Sequence, residues 1–91
     1  MDEAKFRQDR IAEGYKEFNV IEWEPGRVNT MHRHDFAAHV LVLAGEIAIA
    51  AEDGGTKTYR PGETFVFARD VPHEETIGPQ GVKILSVRKY G

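Results

Sequence analysis

The sequence predicts a small all-β protein built as a sandwich or barrel. The most hydrophobic run, residues 38–43, is rich in β-branched side chains and too short for a typical helix. Other short apolar or alternating runs follow, and turn-forming pairs such as Pro25-Gly26 and Pro61-Gly62 separate them. About eight short strands divided by Gly/Pro turns are typical of an all-β sandwich or barrel.

In chain order, residues 1–16 are mostly charged and predict a short helix or an extended arm, and Gly14 ends any helix there. Residues 17–91 are expected to form the barrel domain. We expect a tight hairpin at Ala44-Gly45, a second at residues 53–55 and a loop at residues 78–81. The predicted strands cover residues 17–23, the segment carrying His32 and His34, and residues 38–43, 46–50, 56–60, 64–67, 73–77 and 82–88.

Length and composition narrow the class of protein. The chain has 91 residues, enough for one domain, and a net charge of −3, which argues against a nucleic-acid partner. It has no cysteine, which excludes disulfides and thiolate metal sites. No apolar run is long enough for a membrane helix or a signal peptide, so we expect a cytoplasmic protein with no membrane partner. So small a barrel exposes apolar strand faces, and we therefore expect a homodimer.

Three histidines form the main candidate site. His32 and His34 are two residues apart, and on a strand such positions share a face with Cα atoms roughly 6.5–7 Å apart. Imidazoles at that spacing can converge on one ion. His73 follows a turn and a short apolar run, so a barrel that folds back could add it. Without cysteine, imidazole, carboxylate or water must hold any transition metal, and we consider Fe, Ni, Zn, Cu or Mn.

The spacing around these histidines resembles a known family. Gly26, five residues, His32-Arg33-His34 and then Gly45 are similar to the first signature of the cupins. Residues 61–65 through His73 resemble the second signature, and the resemblance spans roughly residues 18–88. It implies a small jelly-roll or double-stranded β-helix barrel, commonly a homodimer, with His32, His34 and His73 as metal ligands.

The chain departs from the family pattern at several positions. The family's metal-binding glutamate falls on Ala38, which cannot bind an ion. Ala68 replaces a proline, Asp70 a glycine and Ile77 an asparagine of the second signature. Three neutral imidazoles leave a divalent ion at its full charge, favour Fe, Ni, Cu and Zn, and leave one more open coordination position.

Two further residues are weighed as replacements for the missing glutamate. His39 is next to Ala38, but strand alternation places it on the other face, against the second sheet or a dimer contact, unless a bulge at residues 35–36 turns it inward. Glu75 is two residues after His73 and has the right parity to reach the ion, although a solvated rim position is the simpler interpretation.

The sequence therefore favours a metal-binding cupin with small-molecule chemistry, of the dioxygenase or isomerase kind, at a three-histidine centre. One alternative is a non-catalytic module that binds or senses a small ligand, and another is a metal-free dimeric scaffold. A serine-based catalytic triad finds no support, since Ser86 is the only serine and no nucleophile-elbow pattern surrounds it.

Overall fold

The computed structural model describes residues 2–90, as one helix and six antiparallel strands. The elements are α1 (Glu3–Ala12), β1 (Glu17–Trp23), β2 (Val28–His32), β3 (Ala37–Ala51), β4 (Thr56–Tyr59), β5 (Thr64–Phe67) and β6 (His73–Lys89). The strand order is β1-β6-β3-β4, and β2 also pairs with β6 and β5 with β3. The predicted all-β fold class is confirmed.

Two long strands, β3 and β6, replace four of the predicted short ones. They pair antiparallel along nearly their whole lengths, from Ala37 opposite Lys89 to Ala51 opposite His73. The predicted hairpin at Ala44-Gly45 and the predicted loop at residues 78–81 are therefore wrong. Both segments lie inside continuous strands, where they bend the ladder.

The bend depends on Gly45. Its φ is +75°, and a Cβ there would overlap the main chain of β6 at Gly81. Gly45 pairs with Val82, whereas Ile47 pairs with Ile77, so β6 carries several additional residues at this point. Such an irregularity bends a strand and increases its twist without ending it. The strands can then continue from one layer of the barrel into the next.

The two faces of β3 belong to two separate cores. Val40 and Val42 lie inside the barrel, in a cluster completed by Ile47, Phe65, Ile77, Val82 and Ile84. On the opposite face Leu41 packs with Phe6, Leu85 and Val87. The second core lies beneath α1, because Phe6 is the buried residue of that helix. The N-terminal segment thus covers the outer face of the barrel.

Local interactions begin and end α1. The side chain of Asp2 accepts a hydrogen bond of 3.0 Å from the Lys5 amide, as N-cap residues do. Glu3 in the first turn and Arg10 in the last complement the helix dipole. Gly14 follows with φ +95°, which stops the helix, and the amide of Tyr15 donates to the Arg10 carbonyl. Within residues 2–90, α1 is not long and apolar enough to cross a membrane.

Candidate metal centre

The structure brings the three predicted histidines together. His32 ends β2 and His73 begins β6, and the two are paired across the strands. Each of His32, His34 and His73 offers one ring nitrogen that lies within 4.8 Å of the other two. The ring centroids are 4.5 to 5.2 Å apart. Residues that are 41 positions apart in the chain therefore share one site, because β2 folds back onto β6.

His34 reaches the cluster differently from the prediction. It was expected to share the strand and face of His32, but β2 ends at His32 and His34 lies in the link before β3. The carbonyl of His34 accepts a hydrogen bond of 2.8 Å from the Asp70 amide, which ties this link to the loop that precedes His73. Asp70 has φ +61°, a left-handed conformation that aspartate tolerates better than most residues. Glycine adopts this conformation readily, which explains why the second cupin signature has a glycine where this chain has Asp70.

Main-chain hydrogen bonds fix the tautomers of two histidines. The Nδ1–H of His32 donates to the Thr30 carbonyl at 2.5 Å, and the Nδ1–H of His73 donates to the Val71 carbonyl at 3.2 Å. In a neutral imidazole the other nitrogen, Nε2, then carries the lone pair that a metal requires. The Nε2 of His73 is buried and has no hydrogen-bond partner among residues 2–90.

This arrangement fits a divalent transition metal. Three nitrogens that bind one ion tetrahedrally at about 2.1 Å each lie about 3.4 Å apart. The three ring nitrogens lie within 4.8 Å of one another, so side-chain rotations can bring them around one ion. A bound ion would also give the buried Nε2 of His73 the partner that buried polar atoms normally have.

Burial keeps His73 neutral. The side chain is only 3% exposed, and its ring stacks on Phe67 with centroids 3.6 Å apart and an angle of 5° between the planes. Burial lowers the pKa of His73 to about 4, and the charges of His32 and His34 lower it further, although the hydrogen bond to the Val71 carbonyl opposes them. The imidazole is therefore available as a ligand at neutral pH.

His34 is supported by an aromatic neighbour. Its ring stacks on Phe36 with centroids 4.6 Å apart. Burial lowers the pKa of His34, and the charges of His32 and Arg88 lower it further, while Asp35 raises it. Stacking and low basicity again favour a neutral, oriented imidazole.

An open cavity of about 410 Å³ adjoins the histidines. Trp23 and Val40 contribute apolar walls, and Ala38 lies at the position expected to face the site. Its methyl group leaves room where a carboxylate would otherwise project. The volume is sufficient for a small organic molecule.

Glu75 is buried at the site, not solvated at its rim. Its exposed fraction is 6%, so the rim interpretation is wrong. Glu75 Oε1 accepts a hydrogen bond of 3.1 Å from Asn29 Nδ2 and lies 3.8 Å from His32 Nε2. Burial raises the pKa of Glu75, and Asn29, His32 and Arg27 oppose this effect. A carboxyl group with raised pKa therefore stands beside the histidine cluster.

His39 does not join the cluster, and the structure corrects its expected surroundings. Its Nδ1 is 3.3 Å from Arg10 Nη1, and its ring packs edge-on against Phe6 and Tyr15. It therefore packs against the N-terminal segment and not against a second sheet. The parity argument that placed it opposite Ala38 and Val40 is correct. Burial, followed by the charge of Arg10, lowers the pKa of His39.

Sequence reasoning missed three residues around the site. Asn29 holds Glu75, Phe67 stacks on His73 instead of serving only as core, and Arg88 lines the cavity. A signal for Arg88 was present in the alternation of β6, because Ser86 and Arg88 share a face with the core residue Ile84. Nothing local in the sequence marks Asn29, whose partner is 46 residues away.

Solved structures with similar folds include proteins from several bacteria. A conserved protein of unknown function, SPY1581 from Streptococcus pyogenes, is 23% identical with a TM-score of 0.71, and the match covers 81% of this chain and 63% of that one. The polyketide cyclase RemF from Streptomyces resistomycificus is 24% identical with a TM-score of 0.69, covering 82% and 54% of the two chains. The DMSP lyase DddQ from Ruegeria pomeroyi DSS-3 is 19% identical with a TM-score of 0.72, covering 79% and 36%.

The family follows from the sequence itself. No curated protein matches the chain. The cupin domain family model matches residues 19–88, which include most of β1, all of β2 to β5 and nearly all of β6. The fold, the matched residues and the clustered histidines agree, and the chain belongs to the cupin family.

Proposed function

We propose that this chain is a metal-binding cupin with small-molecule chemistry, of the dioxygenase or isomerase kind, and that His32, His34 and His73 hold the ion. The observation that carries the proposal is the histidine cluster, in which each of the three residues offers one ring nitrogen within 4.8 Å of the other two. The Nε2 of His73 is buried and has no hydrogen-bond partner in the described part of the chain. A buried nitrogen of this kind is costly without a partner, and a shared ion supplies one.

The donor set limits the choice of ion. Imidazole suits Fe, Ni, Zn and Cu, whereas Mn prefers carboxylate and water, so Mn is the weakest of the five candidates. A bound ion would supply Lewis-acid chemistry, polarising a carbonyl group or lowering the pKa of a water molecule. The main-chain hydrogen bonds of His32 and His73 occupy Nδ1, so Nε2 is the nitrogen that remains to bind the ion.

Glu75 is the residue proposed to move a proton. Its raised pKa makes the carboxyl group able to hold a proton nearer to neutral pH than an ordinary glutamate. Asn29 donates to Oε1 and fixes the carboxyl group 3.8 Å from His32 Nε2. Trp23 and Val40 line the same cavity and give it apolar surface. This arrangement supplies the acid–base group that the chain lacks at Ala38.

Two similar folds support a catalytic role, since one belongs to a polyketide cyclase and another to a DMSP lyase. The second candidate is a non-catalytic module that binds or senses a small ligand. Ala38 favours it, because the glutamate that the cupin signature places there is missing. Both candidates need the same ion and the same cavity, and they differ in turnover.

Metal titration of the chelator-treated protein tests the centre. We expect one ion of Zn²⁺, Ni²⁺ or Fe²⁺ per chain, and loss of binding in His73→Asn. His39→Asn is the matched control, because it removes a half-buried histidine that contacts α1 and not the cluster. Unchanged binding in His73→Asn, or equal loss in both variants, would refute the proposal.

Turnover then separates the two candidates. The loaded protein is assayed with 1,3-diketones, thiols and sugars, with Fe²⁺ and O₂ where oxidation is tested. Product formation that falls in Glu75→Gln, with metal content unchanged, supports an enzyme. Tight binding of a compound without conversion supports the binding module.

We also propose a homodimer in the cytoplasm, with a small molecule as ligand and with neither nucleic acid nor membrane as partner. Val20, Val28 and Met31 on β1 and β2 are 44 to 50% exposed, which leaves apolar surface for a second copy to cover. Light scattering of the purified chain checks the dimer.

A further inference from the structure

Arg88 places a cation in the cavity beside the histidines. It lies near the end of β6, opposite Ala38 of β3, and its side chain lines the cavity. The guanidinium carbon is 4.4 Å from the centroid of the Phe36 ring, and His34 stacks on the same ring. Phe36 thus holds both the candidate ligand His34 and the guanidinium group of Arg88.

The guanidinium group has unused hydrogen-bonding capacity. Arg88 Nε is buried and has no hydrogen-bond partner, and Arg88 forms no ion pair with a carboxylate within residues 2–90. Arg10 also has a buried Nε without a partner, but its guanidinium group forms an ion pair with Glu13, which follows α1. A planar guanidinium group with free donors is suited to a carboxylate, which it can bind through two parallel hydrogen bonds.

The charge of the cavity favours an anion as well. Besides the histidines, the charged side chains that line it are Glu75 and Arg88. A divalent ion held by neutral imidazoles adds two positive charges. The cavity then remains positive even when Glu75 is ionised, and a cavity of one sign attracts ligands of the other.

We propose that the ligand of this cavity is a small organic carboxylate, which Arg88 binds by its carboxylate group while a second donor atom reaches the metal. This inference rests on the proposed metal centre and adds the chemical class of the ligand. The apolar walls formed by Ile21, Trp23 and Ile84 contact the carbon skeleton. Arg88 is then the residue that selects an anionic ligand over a neutral one of the same shape.

Two probes of nearly equal shape test the selection. Pyridine-2-carboxylate is an anion that chelates metals, and pyridine-2-carboxamide is its neutral counterpart. Both are titrated calorimetrically into the nickel-loaded chain and into Arg88→Gln and Arg88→Lys. Lys83→Gln is the control, because it removes one positive charge from the same strand at an exposed position outside the cavity.

We expect Arg88→Gln to weaken binding of the carboxylate by about tenfold to a hundredfold, the range for a hydrogen bond to a charged group. The carboxamide should change less than about threefold, and Lys83→Gln should match the wild type for both probes. Arg88→Lys keeps the charge but loses the planar pair of donors, so it should weaken the carboxylate by an intermediate factor. If Arg88→Gln does not fold, this lysine variant alone decides.

The failures of the two proposals are distinguishable. If the wild type takes up nickel but Arg88→Gln weakens both probes equally or neither, the inference about Arg88 is wrong and the metal centre stands. If the wild type takes up no ion at all, the proposed function fails, and this inference with it.

Discussion

Acid should destabilise the metal-free protein, and His73 should account for a definite part of the loss. The pKa of His73 is about 4 in the folded chain, against 6.5 as the ordinary value. The unfolded chain therefore binds more protons between these two values, so the free energy of unfolding falls as the pH decreases through this window and levels off below it. At about 1.4 kcal/mol per pH unit the full contribution is about 3 kcal/mol.

The assay is urea denaturation of the EDTA-treated chain at several pH values from 7 to 4.5, in parallel with His73→Asn. Asparagine keeps an N–H donor near the Val71 carbonyl but does not titrate. The wild type should lose about 2 kcal/mol more than the variant over this range. Glu75, whose raised pKa acts in the opposite direction, titrates in both proteins and therefore cancels in the difference. Parallel curves for the two proteins would refute the argument that burial keeps His73 neutral.

Further predictions concern the bend, the helix and the position of the missing glutamate. Gly45→Ala should lower the free energy of unfolding by about 2 kcal/mol or more in urea denaturation, because the residue has φ +75° and no room for a Cβ. Gly54→Ala is the control, since Gly54 has φ +91° in open space, and it should cost only about 1 kcal/mol. Equal costs for the two variants would contradict the role of Gly45 in the bend. Phe6→Ala should lower the free energy of unfolding by about 3 kcal/mol in thermal unfolding, since Phe6 is only 7% exposed beneath α1. Ile11→Ala is the control, because Ile11 is 61% exposed, and it should change the free energy of unfolding by less than about 0.5 kcal/mol. Ala38→Glu should strengthen Mn²⁺ binding relative to Ala38→Gln, because a carboxylate is a better ligand for Mn²⁺ than an amide. If the two variants bind Mn²⁺ with the same affinity, the side chain at position 38 does not reach the ion.

The sequence contained enough to predict the fold class and to select the three histidines. The runs of β-branched residues, the Gly/Pro turns and the His32-x-His34 spacing are local patterns, and each reports directly on a strand, a turn or a shared site. Parity along β3 placed His39 on the outer face, as the structure has it. Patterns of this kind depend only on neighbouring residues.

Features that depend on distant partners were not predictable from local patterns. A glycine with positive φ serves a tight turn or a bulge equally well, and only the pairing of Gly45 with β6 decides between them. Glu75 looks like a solvated residue until Asn29 is seen opposite it on β2. Likewise, α1 covers His39 only because the helix folds back over the outer face of the barrel.

The most direct test of the metal centre is a crystal structure of the nickel-loaded chain with the ion located by anomalous scattering. One ion should lie between His32, His34 and His73, with metal–nitrogen distances of about 2.1 Å to all three rings. An ion bound elsewhere, or any of the three rings turned away to solvent in the loaded protein, would contradict the proposed metal centre.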